Sequence, residues 1–269
     1  MNDQTARARR FRELHERPEP FLLPNPWDAG TARLLASLGF EALATTSFGV
    51  ANQLGRRRAG RQDVLDNLRA VSDATPLPVN ADLENCFADD PAEAATMIAD
   101  ACAAGAAGVS IEDATGDPAA PIYDFELAVE RVRAAVEATR ALPVPLVLTA
   151  RAENLLWQAG DLADTIRRLQ AFEEAGADVL YAPGLRTLDE MRAVVSSVGK
   201  PVNVVMGMAD PDITLTRLAE IGVRRVSVGG ALSRVALRSF MDAAGEMRDG
   251  RFGFVRRMAA AEDLHRAFD

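Results

Sequence analysis

Four times in this chain a helical stretch gives way to a strand through the same phrase: Leu38-Gly39-Phe40, Ala104-Gly105-Ala106, Ala175-Gly176-Ala177 and Ile221-Gly222-Val223. Glycine suits the left-handed position that closes a helix, and an apolar run follows each time. Strand-like runs lie near Phe21–Leu23, Glu41–Thr46, Pro78–Asp82, Ala107–Ile111, Leu146–Ala150, Asp178–Ala182, Pro201–Met206 and Arg224–Val228. Helical patterns fill the gaps, which gives roughly eight strand–helix units about 25–30 residues apart, with no linker between halves. Alternating strand and helix argues for a parallel sheet. Eight units in 269 residues fit a closed α/β barrel, a single-domain (β/α)8 TIM barrel, better than an open doubly wound sheet. No glycine-rich dinucleotide fingerprint is present. The expected layout is an N-terminal helical arm over 1–19, the barrel over 20–249 and an extra C-terminal helix over 250–269.

Local expectations follow from the same pattern. Asp28 caps a helix through Leu38. Ser47–Ala51 is a loop, and 52–61 is a polar, arginine-rich connection. Two helices close the chain, 231–249 and 254–268. Residues 1–17 are polar and arginine-rich and are expected on the surface, as a helix or frayed arm.

Composition removes several function classes. Lys and Arg number 30 against 39 Asp and Glu, a formal charge of −9, which lacks the basic footprint of nucleic-acid binding. The two cysteines, Cys86 and Cys102, form no CxxC pair, so neither a zinc knuckle nor a disulfide framework is expected. The N-terminus has no apolar leader, and no apolar run is long enough to span a bilayer. The expectation is a cytoplasmic enzyme with no membrane partner.

Chemistry concentrates at three strand ends. The run Pro78-Val79-Asn80-Ala81-Asp82-Leu83-Glu84-Asn85 places Asn80, Asp82 and Glu84 at alternate positions, which share one face while the strand lasts. The next strand ends in Glu112 and Asp113, and the one after it in Arg151. Carboxylates that converge need positive charge between them, and a divalent metal with oxygen ligands supplies it most simply. In a barrel, residues at the C-terminal strand ends read as catalytic. Asp82 and Glu112 are therefore the first candidates, with Arg151 as a planar fork for a carboxylate.

Taken in order, VNADLEN, GVSIED, LTARAEN, GADVLYAPG and GVRRVSVGGAL, with the opening PNPWDAGTARLLASLGFEALATTS, resemble the isocitrate lyase/phosphoenolpyruvate mutase superfamily over about residues 20–240. The resemblance implies a barrel enzyme that makes or breaks C–C or P–C bonds beside a carbonyl, on a small α-keto or 2-hydroxy acid. It implies Mg2+ (or Mn2+) as cofactor, with Asp82 and Glu112 around the metal; Glu84, from the alternation at the strand end, is the third candidate ligand. It makes Asp82, Glu112 and Arg151 catalytic, and Thr46, Ser47, Phe48 and Arg151 binders of a carboxylate substrate, with Asn80, which stands where the family's first acid is usual, as a further candidate binder. It also implies a homo-oligomer, dimer or tetramer, with the last helix exchanged between subunits.

Two departures stand out. Arg58 occupies the place of an acid in the loop after the second strand. The loop Ala114–Pro121 has no cysteine, histidine or lysine to act as an acid, and it lacks the lysine and asparagine of the phosphonopyruvate branch. Water is then the expected proton source, which suits a lyase-type decarboxylation or hydrolysis. Phosphonomutase-type chemistry and a non-catalytic keto-acid binder are the alternatives. Cys86, Cys102, His15 and His265 are expected to pack rather than react, and Tyr123 and Tyr181 are weaker candidates for substrate donors.

Overall fold

The computed structural model describes residues 3–268. In chain order the elements are α1 (Asp3–Glu16), β1 (Phe21–Leu23), α2 (Ala29–Ser37), β2 (Leu43–Ala44), α3 (Ser47–Gln53), α4 (Arg61–Asp73), β3 (Val79–Asp82) and α5 (Pro91–Ala103). Then follow β4 (Gly108–Glu112), α6 (Phe125–Ala141), β5 (Val147–Arg151), α7 (Leu162–Ala175), β6 (Val179–Tyr181) and α8 (Leu188–Ser197). The last are β7 (Val202–Val205), α9 (Leu215–Glu220), β8 (Arg225–Ser227), α10 (Ala231–Arg248), a 3-10 turn (Gly253–Arg257) and α11 (Ala261–Phe268).

Local chemistry sets the boundaries. Asp28 accepts the Thr31 N–H at 2.7 Å in a capping box that starts α2. Asp90 accepts from Ala92 and Glu93 ahead of Pro91. Gly176 ends α7 at φ 106°, a conformation that a side chain would strain. Ser47–Ala51 is helix α3 rather than a loop, because Thr46 caps it by accepting the Gly49 N–H at 3.3 Å.

All strand pairings are parallel, and the strands run β1-β8-β7-β6-β5-β4-β3-β2 around the sheet. The β1–β2 seam closes through the Ala44 N–H on the Pro24 carbonyl at 3.1 Å and the Asn25 side-chain N–H on the Thr45 carbonyl at 3.2 Å. The result is the expected (β/α)8 barrel.

Residues 3–16 form the expected helix, exposed along one face, but the other face is not free: it plugs the N-terminal end of the barrel with Ala8, Phe11, Leu14 and His15 buried. Gln4 donates to the Ala106 carbonyl, and Arg12 to the Leu146 carbonyl and the Asp178 carboxylate. Phe11 lies so near Gly108 that a Cβ there would meet its ring at 2.6 Å.

The closing helices also differ from expectation. The stretch 254–268 divides into the 3-10 turn and α11, and α11 folds back on α2 of the same chain. Along α10 only Ser233 is buried, while Val235, Phe240 and Met241 are exposed.

Barrel interiors are ordinarily filled with branched apolar side chains. This lumen is polar. Arg225 on β8 donates to Thr149 on β5 at 3.0 Å, a bond between non-adjacent strands that must cross the interior. It also donates to Asn203 at 2.9 Å, and Asn203 donates to Ser227 at 3.1 Å.

Candidate active site

Parallel register brings the three strand ends together. Glu112 pairs with Arg151, and Asp82 with Ser110 one strand over. The Arg151 guanidinium sits among three carboxylates: Asp82 at 2.7 Å, Glu112 at 3.1 Å and Glu153 at 2.7 Å. Its carbon lies 4.9 Å from the centre of the Tyr181 ring. The positive charge between the acids is therefore an arginine from the chain itself. The second oxygen of Asp82 accepts both the Ser47 N–H and hydroxyl at 2.9 Å each. The Asp82 N–H is anchored on Thr45.

Three acids around one cation perturb one another. Burial pushes Glu112 well above the usual carboxylate range, and Glu153, Asp82 and Glu84 add to the rise against the pull of Arg151. Burial raises Glu153 to about 7. Protons in such a cluster belong to the group rather than to one residue. Glu153 is absent from the sequence-based candidates; its signal was an acid two residues beyond a strand-end arginine.

Asp113 braces this cluster from behind. It accepts the Glu153 N–H at 2.7 Å and pairs with Arg168 at 3.1 Å, and Arg168 also holds Asp164. Burial lifts the Asp113 carboxyl to about 6.

Glu84 leaves the alternation. The strand stops at Asp82, and Glu84 takes φ 50°. Its carboxylate meets Arg58 at 3.4 Å, and burial, then Asp82, raises its pKa. Arg58 also donates to the Gly116 carbonyl at 2.9 Å, so it ties the loop after β2 to the loop after β4. The latter loop is a closed hairpin, with the Thr115 N–H on the Pro121 carbonyl and the Tyr123 N–H on the Asp113 carbonyl.

A cavity of about 300 Å³ opens beside Asp82 and Arg151. Thr46, Ser47 and Phe48 form one side of it and Gly229, Gly230 and Arg234 the other. Asn80, Asn203, Ser227 and Arg225 line its depth. Phe48 is half exposed and leans on Gly230. Tyr181 lines the wall, and burial pushes its phenol upward. Tyr123 instead donates to Asp89 and stands outside this cavity. Cys86 is fully buried and its thiol is pushed up to about 12, which fits packing rather than chemistry.

Among the described residues no three acidic, histidine or cysteine side chains close into a metal cage. The donor chemistry nonetheless suits a hard divalent cation. Asp82, Glu84 and Glu112 are oxygen donors that repel one another. Magnesium needs only one or two carboxylates directly and keeps its waters.

A parallel barrel with acids and an arginine at its C-terminal face defines the α/β-barrel enzymes. The chain belongs to the phosphoenolpyruvate phosphomutase family, whose model matches residues 11–248, within the isocitrate lyase/phosphoenolpyruvate mutase superfamily. It is similar to a provisionally assigned lyase/mutase from Burkholderia cenocepacia J2315, at 54% identity and TM-score 0.96 over 100% of this chain and 97% of that one. It is 30% identical to 2-methylisocitrate lyase of Escherichia coli (strain K12) over 77% of this chain and 73% of the lyase. It is 27% identical to oxaloacetate decarboxylase of Paraburkholderia xenovorans (strain LB400), over 91% of this chain and 84% of that enzyme. The described residues include no helix long and apolar enough to cross a membrane.

Proposed function

We propose that this chain is a magnesium-dependent, lyase-type enzyme. It cleaves a C–C bond beside the carbonyl or hydroxyl of a small α-keto diacid (oxaloacetate-like) or 2-hydroxy polyacid (methylisocitrate-like), by way of an enolate of the fragment that keeps the bond's electron pair, which is pyruvate for the oxaloacetate-like case. The observation that carries this is the Asp82–Arg151–Glu112 cluster, whose Asp82 and Arg151 line a cavity of about 300 Å³. Relatives that act on methylisocitrate and oxaloacetate agree with it.

In this reading Asp82, with Glu112 and Glu84 acting through water, would hold the ion. Bound there, magnesium supplies a Lewis acid for a keto oxygen and for the charge it gains as an enolate. Arg151, held through Nε and Nη2 by Glu153 and Glu112, presents its Nη1 side, which it shares with Asp82, to a substrate carboxylate. Thr46, Ser47 and Phe48 shape the side of the cavity that receives the substrate, and Asn80 lines it below. Burial shifts both Glu112 and Glu153, behind the arginine, towards their protonated forms. With no thiol or imidazole in the loop after β4, water enters as proton source or nucleophile.

We also infer that copies assemble, as a dimer or tetramer, through α10. The exposed Leu237, Phe240 and Met241 support this, because their i, i+3, i+4 spacing puts them on one helix face and such apolar groups mark an interaction site.

The test is a turnover assay on oxaloacetate, 2-methylisocitrate and phosphonopyruvate, with and without Mg2+. Magnesium-dependent release of a keto acid from a C–C substrate, lost in Asp82→Ala, is expected. Turnover of phosphonopyruvate alone would move the enzyme to P–C chemistry. Full activity in Asp82→Ala would overturn the placement of the site.

A further inference from the structure

Arg225 is 2% exposed and lines the same cavity, yet its bonding partners carry no negative charge. It donates to the Asn203 amide oxygen at 2.9 Å and the Thr149 hydroxyl at 3.0 Å, and faces His15 Nε2 at 3.3 Å. His15 cannot serve as a counter-ion. Its Nδ1 lies 2.7 Å from the Phe11 carbonyl, so that nitrogen carries the hydrogen and Nε2 is the acceptor. Burial also holds His15 neutral, down at about 3. The ionisable groups that act on Arg225 are the Tyr181 phenol and the cation of Arg151. Burying an uncompensated guanidinium is expensive, and burial lowers Arg225 to about 9, still charged at neutral pH.

A second orphan lies in the same lumen. Asn80 Oδ1 is buried and accepts no hydrogen bond. The cavity is thus polarised along its depth. At its upper level Asp82 and Arg151 face the cavity, with Glu112 and Glu153 behind the arginine, and its floor holds a cation with no acid among the described residues. A dianion lying along this depth would set one negative end at the Arg151 level and the other at Arg225.

We propose that the floor of the lumen is an anion subsite, in which Arg225, positioned by Asn203 and Thr149, binds the distal carboxylate of the substrate. This rests on the reading of the substrate as a small diacid. Asn80 Oδ1 then accepts from a hydroxyl or water beside that group. A carboxylate pinned by a cation resists leaving as carbon dioxide, because its charge must leave the cation. The subsite therefore suits a distal carboxylate that stays on its fragment.

The experiment compares succinate with butyrate, two four-carbon acids that differ by one carboxylate, by calorimetric titration in the presence of Mg2+. Wild type is expected to bind succinate at least about tenfold more tightly. Arg225→Met should erase that preference and Arg225→Lys should keep part of it. Arg225→Met sheds a buried unpaired charge, so its Tm should hold or rise. An unchanged preference in Arg225→Met would overturn the subsite. Chloride alone stabilising wild type but not Arg225→Met, with succinate and butyrate bound alike, would make it an inorganic-anion site and overturn the substrate assignment. 2-Methylisocitrate, whose distal carboxylates stay on their fragment, turned over by Arg225→Met at the wild-type KM would sink the subsite and leave the proposed reaction standing. An Arg225-dependent succinate preference, with no magnesium-dependent turnover of any diacid, would do the reverse.

Discussion

The carboxylate of Asp82 lies 2.7 Å from the guanidinium of Arg151, and its other oxygen takes both donors of Ser47. One residue thus links the ends of β3 and β5 to the start of α3.

Removing the cation from this link should hurt stability as well as activity. Arg151→Met leaves Glu112 and Glu153 without their cation and Asp82 with Ser47 alone, and breaking a buried pair costs about 3–5 kcal/mol. The orphaned acids can recover part of that loss by taking up protons. Their folded pKa values rise, so the variant should be nearest to wild type at low pH and fall further behind as pH increases. Urea denaturation at pH 5 and pH 8 checks this; an equal deficit at both would count against a charge origin.

Arg58 should behave differently. It is largely exposed, and such ion pairs contribute about 0–1 kcal/mol. Arg58→Ala should leave Tm almost unchanged. It removes a positive charge beside Glu84, so the magnesium concentration for half-maximal activity should fall by a few-fold. A rise in that concentration would show that Arg58 does not oppose the metal.

His15 gives a pH prediction of definite sign. Its pKa is lowered from 6.5 to about 3 in the folded chain. Between those values the unfolded chain binds a proton that the native chain excludes, so stability falls as pH falls. One such proton is worth about 1.4 kcal/mol per pH unit. His15→Gln keeps an acceptor for Arg225 but cannot titrate, so its stability should decline less steeply across this window. Parallel slopes for the two proteins would contradict the burial of a neutral imidazole.

The exposed face of α10 predicts an assembly. Phe240→Asp combined with Met241→Asp should shift the mass measured by light scattering from oligomer to monomer. A monomeric wild type at micromolar concentration would remove the argument.

Much of the architecture was legible from the residues. Period and the four Gly-closed helix ends indicated the barrel, because both are local signals. The meeting of Asp82, Glu112 and Arg151 followed from their places at strand ends. What escaped depended on geometry that only the assembled barrel supplies. Glu84 lies two residues beyond the strand and takes φ 50°, so the alternation that would align it with Asp82 ends before it. The pair Arg224-Arg225 was ambiguous, since a one-residue slip exchanges the inward and outward faces. Arg224 reaches out to the Pro18 carbonyl, while Arg225 turns in. Helix α1 did show apolar residues at Ala8, Phe11 and Leu14, but five arginines from Arg7 to Arg17 masked that stripe.

The position of that first helix changes what a shortened or tagged form of this protein means. Phe11 and His15 do not decorate the catalytic body; they seal its lower end, and His15 touches the arginine at the cavity floor. A cut at residue 20, where the repeat pattern begins, would keep every strand and still drain the lumen from beneath. Truncation at the amino terminus is therefore an edit of the binding chamber, made from the side opposite its mouth.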